Sequence, residues 1–305
     1  MGPALTLARG ALGSLRKRGP YARARLPAER LVADAVRVDP GRLAAYAEVC
    51  AFHRTDPLPL SYPHLLGFPL AMRLMARPDF PFPLLGLVHT DIGITRYGPL
   101  YAADRPQLRV HAEGLAPHRR GSSFDMVTEA RLDGETVWRS RSTYLCRHRA
   151  GAEAGAGADS GAGSGAGADS KGTAARSDPE PLPVRTEWTL PAGLGRGYGA
   201  VSGDRNPLHL HPLTARPFGF PGAIAHGMWT FARCLAERPV DDEPLTVTAK
   251  FRAPVPLPAQ VTYGERDGAF EVRGGVGDRA RLHLSGRVSS GPRPAGSPAR
   301  PSRSS

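Results

Sequence analysis

Residues 150–172 read AGAEAGAGADSGAGSGAGADSKG, a run with no side chain large enough to seed a core. The run is a linker, and the Pro-containing stretch 179–183 prolongs it. It divides the 305-residue chain into a first body, 30–149, and a second, 183–288, each long enough to bury its own core. A basic leader (1–29), the linker (150–182) and a Ser/Pro/Gly/Arg tail (289–305) are expected to lack fixed structure.

The two bodies repeat one another in order. The first holds Asp56-Pro57-Leu58-Pro59-Leu60, then Gly67-Phe68-Pro69 ahead of an apolar stretch, 70–75. The second holds Asn206-Pro207-Leu208-His209-Leu210, then Gly219-Phe220-Pro221 ahead of 223–235. Strand-like alternation follows in both, over 84–95, 107–114, 122–132 and 137–146, and over 245–251, 260–263, 269–273 and 281–288. Asp133-Gly134 and Asp267-Gly268 mark turns between strands. The expected class is α+β, one central helix followed by an antiparallel sheet in each body. In the second body Ile224, Met228, Phe231 and Leu235 form one apolar stripe of that helix, so any chemistry must come from its polar start.

Composition narrows the partners. The net charge of +12 sits mostly at the ends, with seven cations in residues 1–30 and Arg293, Arg300 and Arg303 in the tail. No basic stripe with interleaved aromatics runs through either body, so a nucleic-acid partner is not expected. No apolar run is long enough to span a membrane, and Arg9, Gly10 and Gly13 break up the apolar stretch a secretory signal would need. Cys50, Cys146 and Cys234 are odd in number and widely spaced, which fits neither a disulfide framework nor a zinc knuckle. The expected setting is a reducing cytoplasm, and the Arg-, Ala- and Gly-rich composition suits a GC-rich bacterial genome.

The densest polar cluster is Ser202-Gly203-Asp204-Arg205-Asn206-Pro207-Leu208-His209, followed by Ala225-His226-Gly227-Met228. Asp204 and His209 lie five apart across a Pro-containing turn, a spacing at which both side chains can reach one water. Gly227 opens the helix, where a backbone N–H and the helix dipole can face a developing oxyanion. With Tyr198 upstream and Lys250-Phe251-Arg252-Ala253-Pro254-Val255 downstream, these segments resemble the MaoC-like family of (R)-specific enoyl-CoA hydratases and acyl dehydratases. The matching pattern is Y-x-x-x-S-G-D-x-N-P-x-H, then G-F-x-x-x-I-A-H-G-M. The resemblance implies a hot-dog fold and, for the duplicated chain, a tandem (double) hot dog in which one half is active. It implies that Asp204 and His209 act as a pair on water, with Asn206 holding the water or their geometry and Gly227 facing the thioester oxygen. Tyr198, Ser202, Gly203, His226 and Met228 would line the substrate. The substrate would be a CoA thioester with water as co-substrate, and no metal or redox cofactor is implied. Acyl-carrier protein is the alternative carrier, a homodimer is admitted, and a non-catalytic thioester-binding scaffold is the alternative class.

Blander readings compete with several of these. Asp and Asn before Pro are common turn formers, and His226 suits a hydrogen-bonded place at a helix start. His211 stands where the family often has Asp. A metal set of His209, His211 and His226 lacks a supporting Cys or carboxylate spacing. Gly193, Gly195, Gly197 and Gly199 lack the strand and helix that a phosphate loop requires. In the first body Arg54 and Pro59 align with Asp204 and His209, and Arg73 to Met75 stand where the His-Gly would be. That half is expected to be inactive and to shape space for the acyl chain, with no role assigned to His53, Asp56 or His64. Arg205, Arg252 and Arg273 are candidates to meet the CoA phosphates.

Overall fold

Strands whose side chains alternate in burial along part of their length, as over Ile92–Arg96 and Leu245–Ala249, build one antiparallel sheet that wraps the helices. The computed structural model describes residues 17, 21, 24–148, 180–238, 244–275 and 280–291. The first half comprises β1 (Leu31–Ala33), α1 (Pro40–Cys50), α2 (Tyr62–Met75), β2 (Leu87–Arg96), β3 (Gln107–His118), β4 (Gly121–Leu132) and β5 (Glu135–Arg147). The second comprises β6 (Val184–Leu190), α3 (Leu194–Ser202), α4 (Pro207–Leu210), α5 (Pro212–Ala215), a 3-10 turn (Arg216–Phe218), α6 (Gly227–Ala236), β7 (Leu245–Phe251), β8 (Ala259–Arg266), β9 (Ala269–Gly274) and β10 (Arg281–Ser290).

The strand order is β1-β3-β4-β5-β2-β7-β10-β9-β8-β6. Read inward from either edge, each half runs first, third, fourth, fifth, second strand, so the internal duplication is written into the topology. The halves meet at β2 and β7, in register from Asp91↔Lys250 to Arg96↔Leu245. The architecture is the expected α+β double hot dog. One apolar core runs through both halves, and its fully buried rings include Tyr46, Tyr62, Phe124 and Trp138 from the first and Tyr198, Phe231, Tyr263 and Phe270 from the second. Helix α1 packs against α3 and α6, where Trp229 Nε1 donates to Val49 O at 2.8 Å. No helix among the described residues is long and apolar enough to cross a membrane, and all three cysteines are free and buried.

Several expectations change. Strands β1 and β6 escape the sequence reading: β1 has only three residues, and both are edges with a single neighbour. Helix α1 is announced by Asp39, whose side chain accepts from Arg42 N, and by Pro40 in the first turn. The two Gly-Phe-Pro triplets are not structural equivalents. Gly67-Phe68-Pro69 lies inside α2, whereas Gly219, at φ 84°, closes the 3-10 turn. Helix α2 therefore starts at Tyr62, so His64 in its first turn, and not Arg73 to Met75, stands at the polar start of the first half's helix. Helix α6 starts at Gly227, because 223–225 is extended and pairs with 255–257: Ala225 N donates to Val255 O and Leu257 N to Ala223 O. Within the leader, Lys17 Nζ donates to Arg77 O at 2.7 Å and Tyr21 packs on Phe82. The expectation of an unstructured leader fails for these residues because they cover an apolar edge of the core. The remaining leader residues, linker positions 149–179 and tail positions 292–305 lie outside the described residues.

Candidate active site

Helix α3 ends at Gly203, whose left-handed backbone (φ 81°) turns the chain back toward the helix. Side chains then lock the turn. Ser202 Oγ accepts from Asp204 N at 3.1 Å, and Asp204 Oδ1 accepts from Asn206 N at 3.1 Å. Asn206 Oδ1 caps the short α4 through Leu208 N, and His209 is that helix's third residue. Arg42 of α1 reaches over from the first half and donates to Val201 O at 2.7 Å and Ser202 O at 3.1 Å. A cation thus closes the C-terminus of α3, the end that carries Asp204. Helix α3 approaches closely enough that a Cβ on Gly195 would stand 1.9 Å from His209 O, and one on Gly199 2.9 Å from Asp204 O. The expectation that these glycines lack a strand before and a helix after fails, since they follow β6 and Gly195, Gly197 and Gly199 lie within α3; Gly195 and Gly199 serve this close approach.

His209 Nδ1 lies 2.8 Å from Ile224 O. A carbonyl only accepts, so Nδ1 carries the proton and Nε2 keeps its lone pair. The pairing of 223–225 with 255–257 places that carbonyl. The His209 ring stacks on His226, with centroids 3.7 Å apart and planes at 24°. His226 is 2% exposed; its Nε2 donates to Asp204 O at 3.0 Å and lies 3.9 Å from Asp204 Oδ2, and its Nδ1 has no partner. Burial lowers the His209 pKa, opposed by the Asp204 charge. Burial, followed by the neighbouring His209, lowers His226 to about 3. Both rings are neutral near pH 7.

Ligating atoms of Asp204, His209 and His226 lie within 4.8 Å of one another, the only such group among the described residues. His209 Nδ1 and His226 Nε2 are already bonded to the Ile224 and Asp204 carbonyls, which leaves one nitrogen on each ring. His211 is not part of the group, since it is exposed and caps α5 through Leu213 N.

Gly227 opens α6, where no carbonyl of the helix precedes its N–H, and a Cβ there would stand 3.0 Å from the Phe251 ring. Met228 is half-buried beside it. Tyr198 is buried behind His226, ring centroids 4.9 Å apart, and its hydroxyl has no partner. Asp204, His209, His226 and Ser202 therefore converge, Asn206 serves as a cap, and Tyr198 backs the site. Arg205 and Arg252 are exposed. Arg273 is not available to a phosphate, because it is buried in a two-point pair with Glu271 at 2.7 and 3.2 Å.

Sequence reasoning missed what the first half supplies. Arg42 left no signal, since its role depends on how α1 docks on α3. His64 is buried and Tyr144 half-buried, and both lie within reach of the Asp204 charge.

A neutral imidazole and a carboxylate held beside a free helix N-terminus, in a two-half hot dog, define a double hot-dog hydro-lyase. A MaoC-like domain model matches residues 180–265. The 3-hydroxyacyl-thioester dehydratase X of Mycobacterium tuberculosis is 34% identical over 250 residues, covering 81% of this chain and 84% of that protein. The crystal structure of HtdX from the same organism, 32% identical, superposes with a TM-score of 0.68 over 85% of this chain and 99% of that one. A MaoC-like dehydratase from Phytophthora capsici, 16% identical, shares the fold at a TM-score of 0.62 over 88% and 97%. The chain belongs to the MaoC-like dehydratase family, as its motif implied.

Proposed function

We propose that this protein adds water to trans-2-enoyl-CoA thioesters and, in reverse, dehydrates (R)-3-hydroxyacyl-CoA thioesters. The observation that carries this reading is the His209 Nε2 lone pair held beside the Asp204 carboxylate near the Gly227 N–H. In hydration, Asp204 accepts one hydrogen bond from the water while His209 Nε2 takes the other proton as oxygen bonds to C3. The C2=C3 electron pair shifts toward the thioester oxygen, which the Gly227 N–H stabilises. The proton held on His209 then passes to C2, leaving hydroxyl on C3, hydrogen on C2 and a neutral ring. Dehydration runs the same steps backward.

Metal, redox cofactor and nucleic acid have no part in this reading, which places the enzyme in the cytoplasm, admits a homodimer and treats the first half as non-catalytic. The relative named as a 3-hydroxyacyl-thioester dehydratase supports the substrate class. Loss of enoyl absorbance on trans-2-enoyl-CoA substrates of graded length tests the reading, beside Asp204→Asn and His209→Gln. Each variant is expected to lower turnover by about 10²–10⁴-fold. Turnover on acyl-carrier-protein thioesters alone would reassign the carrier. Wild-type inactivity on both would defeat the reading.

A further inference from the structure

A cleft of about 250 Å³ opens on the first half, where the start of β3 and the turn from β4 to β5 meet the segment after β1. Its lining holds three arginines, Arg105, Arg109 and Arg131, against one carboxylate, Asp133. Leu108 and Val110 are buried in the core, so Gln107 and Arg109, which alternate with them, face outward from the sheet. The catalytic turn lies far off. Arg131 pairs with Thr136, whereas Tyr144, which feels the Asp204 charge, stands eight residues further along β5 (136 to 144), about 26 Å at roughly 3.3 Å per residue.

Hydrogen bonds fix the walls of the cleft. Val36 N donates to Pro106 O at 2.9 Å, which ties the segment after β1 to the loop carrying Arg105. Gln107 Nε2 donates to Asp34 Oδ1 at 2.7 Å, and Gln107 Oε1 accepts from Arg109 Nε at 2.6 Å, so the Arg109 guanidinium is oriented through its inner nitrogen. Arg131 donates to Thr136 Oγ1 at 2.9 Å and to Gly134 O. Further along the same face the cations are matched, Arg141 with Glu113 and Asp125, and Arg139 with Glu113 and Glu129. At the cleft they are not. Among the described residues Arg105 makes no hydrogen bond or ion pair, the terminal nitrogens of Arg109 have no partner, and Arg131 lies 3.9 Å from Glu129, which Arg139 shares.

We propose that this cleft binds a phosphate group, free or as the monoester of a small metabolite, between Arg105, Arg109 and Arg131. Guanidinium groups on several sides suit a tetrahedral dianion, whose oxygens can each accept, whereas a planar carboxylate fills one fork. The volume is below the roughly 300–1,000 Å³ of pockets that enclose drug-sized ligands, so any substituent on the phosphate is small. The site is independent of the hydratase reading.

Calorimetric titration of the full-length protein with inorganic phosphate and with glycerol 3-phosphate, at physiological ionic strength, tests this. Saturable binding at one site is expected, with thermal unfolding moving upward as the ligand is raised. Arg105→Gln and Arg109→Gln are each expected to weaken binding by about tenfold, the loss of one charge-assisted hydrogen bond. Arg105→Gln breaks no bond of the folded chain and is expected to leave unfolding without ligand unchanged. Arg119→Gln removes the same charge from an exposed position outside the cleft and is expected to leave the affinity unchanged. Tighter binding of glycerol 3-phosphate assigns a monoester, and tighter binding of inorganic phosphate assigns the free ion. No saturable binding at millimolar ligand, equal affinity for succinate, or an affinity that Arg105→Gln lowers no more than Arg119→Gln does, overturns the proposal.

Discussion

His209 can act as a base only while its ring is neutral, and burial holds it so even with Asp204 alongside. Because burial is the larger influence, the acid limb of kcat/KM is expected below the ordinary histidine value of 6.5. A limb at or above 6.5 in the pH–rate profile would show that Asp204 outweighs burial. Stability follows the same chemistry. His64, His89 and His226 are lowered to about 4, 3 and 3, while the unfolded chain protonates near 6.5. Between those values the unfolded state binds protons that the folded state does not. Stability is therefore fully present above about 6.5 and declines as pH falls toward 4 and 3. Urea unfolding at pH 7.5 and pH 5 measures this, and equal stability at the two would contradict it. At this scale the motif made Asp204, His209 and Gly227 legible, since all three lie within one short stretch. The tautomer of His209 was not legible, because the Ile224 carbonyl that sets it is placed by pairing with 255–257.

Helix α3 packs through its glycines, and two neighbouring ones should respond oppositely to the same change. A Cβ at Gly195 would meet the His209 carbonyl at 1.9 Å, whereas one at Gly197 meets only Val49 Cγ2, at 3.7 Å. Gly195→Ala is expected to cost about 1–3 kcal/mol and to lower kcat by displacing His209. Gly197→Ala is expected to leave kcat unchanged and to add about 0.5–1 kcal/mol of stability, as alanine does in a helix. Denaturant unfolding and turnover of both variants check the pair; equal effects would sink the close-packing account. Arg42→Met keeps the stem of the side chain but removes both bonds to the end of α3. It is expected to lower kcat more than it raises KM, and an unchanged kcat would show that the Asp204 turn holds itself. The strands with two neighbours were legible from alternation, as β7 shows over 245–251. The Gly-Phe-Pro repeat misled because a shared triplet carries no information about whether it caps a turn or sits within a helix.

Across the whole molecule, the halves share a core, a ten-stranded sheet and the Arg42 and Trp229 ties. Alone, the second half would expose the β7 edge and the α6 face that the first half covers. Residues 183–288 expressed alone are expected to aggregate or to lack turnover, and co-expression with residues 1–149 to restore it. Full turnover by the isolated second half would show that the first contributes nothing to the site.

By itself the sequence determined the duplication, the fold class and the polar turn around Asp204 and His209, because these reside in local pattern and composition. Tertiary structure alone decided which way the His209 proton points, why α3 is rich in glycine, and that Arg42, His64 and Tyr144 of the first half border the site. Those outcomes depend on contacts between segments far apart in the chain, made only when the two halves close over one core.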